Sequence, residues 1–258
     1  MVRRDKDNYT IQTVSHALDV LEQFYADDEL GVTELSKRLK LHKNNVFRIL
    51  ATLEARGYIE QNKATENYRL GTKCLELGQG YVHHMGLLRQ AGPIMAQVVR
   101  DCHESAYVAV MRKGVVVPLD AVESDLPIRT VCRVGECLPV HCTAVGKAHL
   151  AFGPEEELHA VLAEGLPRHT DKTITDREAL IAELKAVARD GYSLEYGEYL
   201  ADVHAIAVPI KDYRHSVVGS LAVSGPAYRI SAERIQSEIA PLVVRAGREL
   251  SGRLGYKA

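Results

Sequence analysis

From Thr10 to Tyr81 the apolar positions recur with a helical period, and past Glu104 they switch to a strand-like one. A first helix carries Ile11, Val14, Ala17, Leu18, Leu21 and Phe24 on one face. The acidic, turn-rich stretch 26–31 reads as a solvent loop. A short helix follows, with Thr33 as its cap and Leu35 and Leu39 as its apolar side. Lys40, Leu41 and His42 break the period, with Leu41 the buried pin of a turn. The next helix places Val46, Ile49, Leu50 and Leu53 at i, i+3, i+4, i+7, and Gly57 sits where a C-cap glycine belongs. Tyr58, Ile59 and Gln61 suit a strand, Lys63 to Asn67 a turn, and Tyr68 to Leu70 a returning strand. That order is a winged helix-turn-helix.

Thr72 to Tyr81 predicts a weaker helix, because Gly78 and Gly80 interrupt it. It suits a linker at a dimer seam or a plain interdomain helix. Leu87 to His103 is helical, with Pro93 expected to kink or break it. Strands are expected at Tyr107–Met111 and Val115–Val122 around a Lys113–Gly114 hairpin, and a third at Ile128–Val134. Short helices at Glu155–Ala163 and after a Thr175/Glu178 capping box precede strands at Tyr192–Tyr196, Ala205–Ile210 and Ser216–Val223. A last helix starts at Ser231 and should bend at Pro241. Hairpin strands flanked by separate helices argue an α+β domain on an antiparallel sheet.

Chemistry sharpens the picture at the helix-turn-helix. Lys37, Arg38, Lys40, Lys43 and Arg48 lie between Glu34 and Glu54 with no acid among them. Phosphates attract such a cluster, and the attraction weakens with salt. Lys43, Asn44 and Asn45 open the second helix, the part that enters a major groove, where Asn pairs with the N6/N7 edge of adenine. Lys63 sits at the wing tip. With Thr33, Lys37 and Arg48, these residues are the candidate double-stranded DNA contacts. Thr143 caps a helix from Ala144 to Phe152 whose first N–H groups attract a carboxylate or phosphate, and Gly146 allows a close approach.

The whole composition restricts rather than extends this. A net charge of −2 over 258 residues excludes a uniformly basic coat, so DNA binding must rest on a local patch. Residues 1–8 are charged and read as loose. The N-terminus lacks an apolar leader, no stretch is apolar enough to span a membrane, and five cysteines suit reduced thiols, which together point to the cytoplasm.

Four stretches in this order resemble the isocitrate lyase regulator (IclR) family of bacterial transcription factors: the winged helix-turn-helix, LPVHCTAVGKAHLA at 138–151, KTITDREALIAEL at 172–184, and GYSLEYGEYLADVHAIAVPI at 191–210 with SLAVSGP ending at Pro226. The resemblance implies an N-terminal DNA-binding domain over 1–71, with an all-α core and a β-wing. A linker helix over 72–86 and a GAF-like α+β effector domain with an antiparallel sheet over 87–258 follow. It also implies homodimers, often paired into homotetramers, on palindromic operators near promoters, acting as repressors or activators, with no cofactor. Small organic acids are implied at positions matching Thr130, Leu138, Ala144, Val145, Glu195, Val203, Ala205, Ala222 and Ser224. In that scheme the Ala144 and Val145 N–H groups hold the acid, Glu195 accepts from the ligand, Ser224 donates, and the apolar members shape the wall. The family often carries more polar residues where Ala205 and Ala222 stand, which points to a less polar effector.

Two other classes are legible. Cys132, Cys137, His141 and Cys142 lie close in sequence and suggest a DNA-binding redox or metal sensor using Cys132, Cys137 and Cys142. They lack a CxxC pair, and neighbouring His141 and Cys142 rarely share an ion. Cys74 with His83 and His84 is a weaker group. An enzyme tethered to DNA would need a catalytic signature, and GxSxG, HExxH, P-loop and GxGxxG are all absent.

Overall fold

In a computed structural model, residues 10–84 and 86–257 are described. The charged start of the chain and the side chains of His83 and His84 lie outside that description. The chain divides into two compact units, Met1–His84 and Met85–Ala258.

In the first unit α1 (Gln12–Gln23), α2 (Val32–Leu39) and α3 (Lys43–Ala55) precede a ribbon of β1 (Ile59–Gln61) and β2 (Tyr68–Leu70), and α4 (Thr72–His84) follows. The core joins Val20, Phe24, Leu35, Val46, Leu50 and Ile59. The inward face of α1 is Ala17, Val20, Leu21 and Phe24, which keeps Ala17, Leu21 and Phe24 of the expected face and adds Val20, while Ile11, Val14 and Leu18 are exposed. Both sets have helical spacing, and the inward one packs in the core with α2 and α3. Thr33 is not the cap of α2. The Gly31 carbonyl accepts the Leu35 N–H at 3.1 Å, so the helix begins at Val32 and Thr33 lies inside it, exposed. Gly57, at φ +75°, takes the left-handed turn after α3. The loop read as free solvent braces the wing. Glu29 accepts from Asn62 Nδ2 at 2.7 Å and Thr65 Oγ1 at 2.8 Å, and Leu30 bridges to Tyr68.

The second unit contains α5 (Gly86–Cys102), β3 (Ser105–Arg112), β4 (Val115–Val122), β5 (Leu138–Pro139), α6 (Ala144–Phe152), α7 (Glu155–Glu164) and α8 (Arg177–Asp190). Then come β6 (Ser193–Tyr196), β7 (Val203–Lys211), β8 (Val217–Pro226), α9 (Ala232–Arg234), a π-turn at Ile235–Ile239 and α10 (Ala240–Arg253). The antiparallel sheet has the order β5-β4-β3-β8-β7-β6. Helices α5 and α10 pack on one face, while α6 packs on the other and is flanked by α7 and α8.

Several expectations fail here for local reasons. Pro93 does not break α5. Leu88, Ala91, Ile94, Met95 and Val98 are buried along it, and that burial outweighs a cost of about 3 kcal/mol. Pro241 lies just after the π-turn at Ile235–Ile239, and that local widening of the helix accommodates the proline's missing N–H. Asp176, not Thr175, caps α8, accepting the Ala179 N–H at 2.8 Å. Ile128–Val134 is no strand. β4 pairs instead with Leu138–Pro139, and Ile128, Val131 and Val134 stay exposed in a loop. Lys113 and Gly114, at φ 48° and 81°, make the expected tight hairpin.

Glu104 closes the sheet's end. It is fully buried, and the Arg229 guanidinium grips both its oxygens, at 2.5 and 2.7 Å, while Arg234 reaches one at 2.7 Å. Removing one partner from a buried ion network costs about 3–5 kcal/mol. Glu104→Ala is therefore expected to lower the stability of the C-terminal unit by that order in urea denaturation, whereas Glu238→Ala, at a half-exposed partner of Arg234, should cost under about 1 kcal/mol.

Candidate functional site

Two regions collect the sequence candidates. On α3, Val46, Ile49, Leu50 and Leu53 are buried, and Lys43, Asn44, Asn45 and Arg48 are exposed. Lys37 is exposed near the end of α2, and Lys63 is exposed in the wing turn. Arg38 is less free than its neighbours, because it pairs with Asp27 at 2.6 Å and Glu34 at 2.9 Å. The sequence pattern missed Phe47, which is 55% exposed on α3 and offers an apolar face beside the asparagines. An apolar side chain in a helix of alternating burial carries no periodic signal of its own.

The second region is a cavity of about 460 Å³ at one end of the sheet. Strand register explains its floor. Glu195, Ala205 and Ser224 stand opposite one another on β6, β7 and β8, and all line it, with Val203. Thr130 and Leu138 line it from the 123–137 loop and β5. Ala144, Val145 and Ala222 are fully buried and lie off the cavity wall, under or within the start of α6. Six of the nine expected positions thus converge, and three support them from behind.

The helix start is more occupied than the sequence suggests. Thr143 Oγ1 accepts the Gly146 N–H at 3.3 Å and donates to the Pro139 carbonyl at 2.7 Å. A Cβ on Gly146 would overlap the backbone of Val140, so the close approach is to protein rather than ligand. The Ala144 amide faces Glu195, as does the Tyr199 N–H at 3.2 Å. Burial nevertheless pushes the Glu195 carboxyl up to about 7, against the pull of both amides and Lys147 and with the push of Glu198. Thr130 Oγ1 lies 2.9 Å from both the carbonyl and the hydroxyl of Ser224. If Thr130 donates to the carbonyl, its oxygen can accept the Ser224 hydroxyl.

Sequence reasoning missed several wall residues. Tyr107 is buried, and desolvation holds its phenol well above the usual range. Tyr199, Leu200, Arg129 and Arg133 also line the cavity. Arg129 pairs with Glu123 at 2.6 Å, while Arg133 has no ion pair among the described residues. All but Tyr107, which lies in β3, sit on loops, whose convergence leaves no period to read.

The cysteine set does not assemble as expected. Cys132 lines the cavity, Cys137 is exposed, and Cys142 is buried. Burial pushes the thiols of Cys132 and Cys142 up to about 12, which keeps them protonated and slow to oxidise. All five cysteines are free.

The chain matches two family models, an IclR helix-turn-helix domain over residues 13–63 and the bacterial transcriptional regulator IclR C-terminal domain over 79–252. It is 32% identical over 254 residues to the HTH-type transcriptional regulator KdgR of Escherichia coli K12, covering 98% of this chain and 96% of that one. An IclR transcriptional regulator from Alicyclobacillus acidocaldarius superposes with a TM-score of 0.85 at 25% identity, over 96% of this chain and 100% of the other. An IclR homologue from Microbacterium hydrocarbonoxydans, solved in complex with 4-hydroxybenzoate, gives 0.81 at 27% identity, over 94% and 99%.

Glu195 carries a pH signature. Its folded-state pKa, about 7, exceeds the ordinary 4.5, so folding favours the protonated form and loses stability as pH rises between those values. That gap corresponds to roughly 3 kcal/mol. Glu195→Gln should therefore match the parent near pH 4.5 and become progressively more stable than it toward pH 7.5, as read by paired thermal melts.

Proposed function

The chain belongs to the IclR family of bacterial transcriptional regulators, and on that premise we propose that α3 reads a palindromic operator while a small organic acid in the sheet-end cavity alters the grip. The observation that carries this reading is the two-sided α3, apolar toward its core and lined outward with Lys43, Asn44, Asn45 and Arg48. Lys37, Lys43 and Lys63 meet phosphates, with Thr33 and Arg48 beside them. Asn44 and Asn45 read adenine edges, and Phe47 suits a thymine methyl.

The effector is a weakly polar or aromatic acid. Leu138, Val203, Ala205 and Tyr107 supply apolar wall, and Arg133 supplies a guanidinium for the carboxylate. Glu195, protonated below about pH 7, donates to a ligand oxygen, or accepts from one when ionised. The 4-hydroxybenzoate held by the Microbacterium homologue supports that class. Exposed Ile11 just before α1, Val14 and Leu18 on α1, and Leu75 and Leu77 on α4 support a homodimer seam in the DNA-binding unit. A pair of such dimers makes the tetramer. Two half-sites one helical turn apart, or a multiple of it, suit that symmetry. The effector acts only through a difference in affinity between two arrangements of the dimer.

Fluorescence anisotropy on the protein's own upstream promoter fragment tests the DNA half. Affinity should fall steeply as salt rises from about 50 to 200 mM. Lys43→Ala should reduce the log–log salt slope by about 1, and Asn45→Ala should cost about 1–3 kcal/mol of preference over scrambled DNA. Binding indifferent to salt and sequence would refute the reading. A thermal-shift panel of hydroxy-, keto- and aromatic acids tests the cavity. A stabilising acid should lose its effect in Arg133→Ala, and retention there removes Arg133 from the site.

A further inference from the structure

One cluster of donor side chains serves neither the DNA face nor the cavity floor. His141, Cys142 and His169 each offer a ligand atom, and the three atoms lie within 4.8 Å of one another. His141 and Cys142 are buried and His169 is exposed. On an extended strand, consecutive side chains point to opposite faces. Here the two neighbours lie in the turn between β5 and α6, so their side chains converge on one side. His169 comes from the loop between α7 and α8. Its backbone N–H donates to Thr173 Oγ1 at 3.0 Å, and that hydroxyl donates to the Glu198 carbonyl at 2.6 Å. The His169 ring stands edge-on to Tyr199 at 5.2 Å, and 5.9 Å from the His141 ring.

The tautomer of His141 follows from its partner. Its Nε2 lies 3.0 Å from the Pro167 carbonyl, which can only accept, so Nε2 carries the proton and Nδ1 keeps a lone pair. An imidazole oriented by a backbone carbonyl on its far nitrogen is the usual support of a metal-bound histidine. We propose that His141 Nδ1, Cys142 Sγ and one ring nitrogen of His169 form a binding site for a divalent transition metal of zinc type. Two nitrogens and one sulfur suit such an ion, and three protein ligands leave a fourth tetrahedral position to water. Ligand atoms around tetrahedral zinc stand roughly 3.3–3.8 Å apart, given bonds of about 2.0–2.3 Å. Rotation of the exposed His169 side chain supplies the remaining closure. Binding replaces the thiol proton by the metal and releases one proton per ion to solvent. The site keeps His141 and Cys142 of the set singled out by sequence spacing and replaces Cys132 and Cys137 with His169, a residue far along the chain.

Cobalt(II) titration of the chelator-stripped full-length protein tests this, followed by displacement with zinc. The expected result is one cobalt per chain, tetrahedral d–d bands and a thiolate-to-cobalt charge-transfer band, all lost on adding zinc. His169→Ala lies on the surface and keeps the fold; it should weaken binding at least about tenfold. Cys142→Ser should abolish the charge-transfer band, and Cys137→Ser should leave it intact. Absence of stoichiometric cobalt binding overturns the proposal. So does binding unchanged in His169→Ala, or a charge-transfer band that depends on Cys137.

Discussion

Two serine hydroxyls reach from the sheet to the first carbonyls of α6: Ser193 Oγ donates to the Ala144 carbonyl at 2.5 Å, and Ser220 Oγ to that of Val145 at 3.1 Å. Helix and sheet can come this close because the facing side chains are small. Ala207 and Ala222 lie on the strands, Ala144 and Ala148 on the helix, and Gly146 faces the Val140 backbone. Where α6 begins, the sheet beyond it is uncovered, and that remainder is the floor of the cavity. The roof is tied to the same rows. Ser105 Oγ donates to the Thr130 carbonyl at 2.7 Å, and Thr130 in turn bonds Ser224. The cavity is thus the space that α6 does not fill, framed by hydrogen bonds that hold the 123–137 loop over it.

The same helix brings a cation into the interior. Lys147 is almost wholly buried, 2.6 Å from Glu198 and 3.1 Å from Glu183. A lone ammonium at that depth would be strongly unfavourable, so the two carboxylates tie α6 to α8 and to the turn that follows β6. That turn also carries Tyr199, a cavity wall, and burial pushes the neighbouring Glu195 carboxyl up to about 7, so that it changes charge near neutral pH. A ligand that touches Glu195 or Tyr199 therefore touches a connected set of charges rather than an isolated side chain.

The DNA-binding unit follows a simpler logic. Its core is a small three-helix cluster closed by a wing, and Glu29 holds the wing turn through Asn62 and Thr65. Ion pairs draw Arg38 back toward the protein and leave Lys43, Arg48 and the asparagines outward. The charge is local, set against a near-neutral whole, and a local cationic patch is what attracts phosphate.

Periodicity determined much by itself: the helix-turn-helix and wing, the buried face of α3, the Lys113–Gly114 hairpin and an antiparallel α+β second half. Each is a short-range pattern, set by backbone geometry and the spacing of apolar residues. The tertiary structure decided what depends on which partner an element finds. It chose Val20 over Val14 for the inner face of α1, kept Pro93 inside a helix, and left Ile128–Val134 as a loop. It separated Thr130, Leu138, Glu195, Val203, Ala205 and Ser224, which line the cavity, from Ala144, Val145 and Ala222, which only support it. It also brought His169 beside His141 and Cys142, and Arg133 and Tyr199 to the cavity wall. Pairings between residues far apart in the chain leave no local period, so only the packing of helix on sheet could place them.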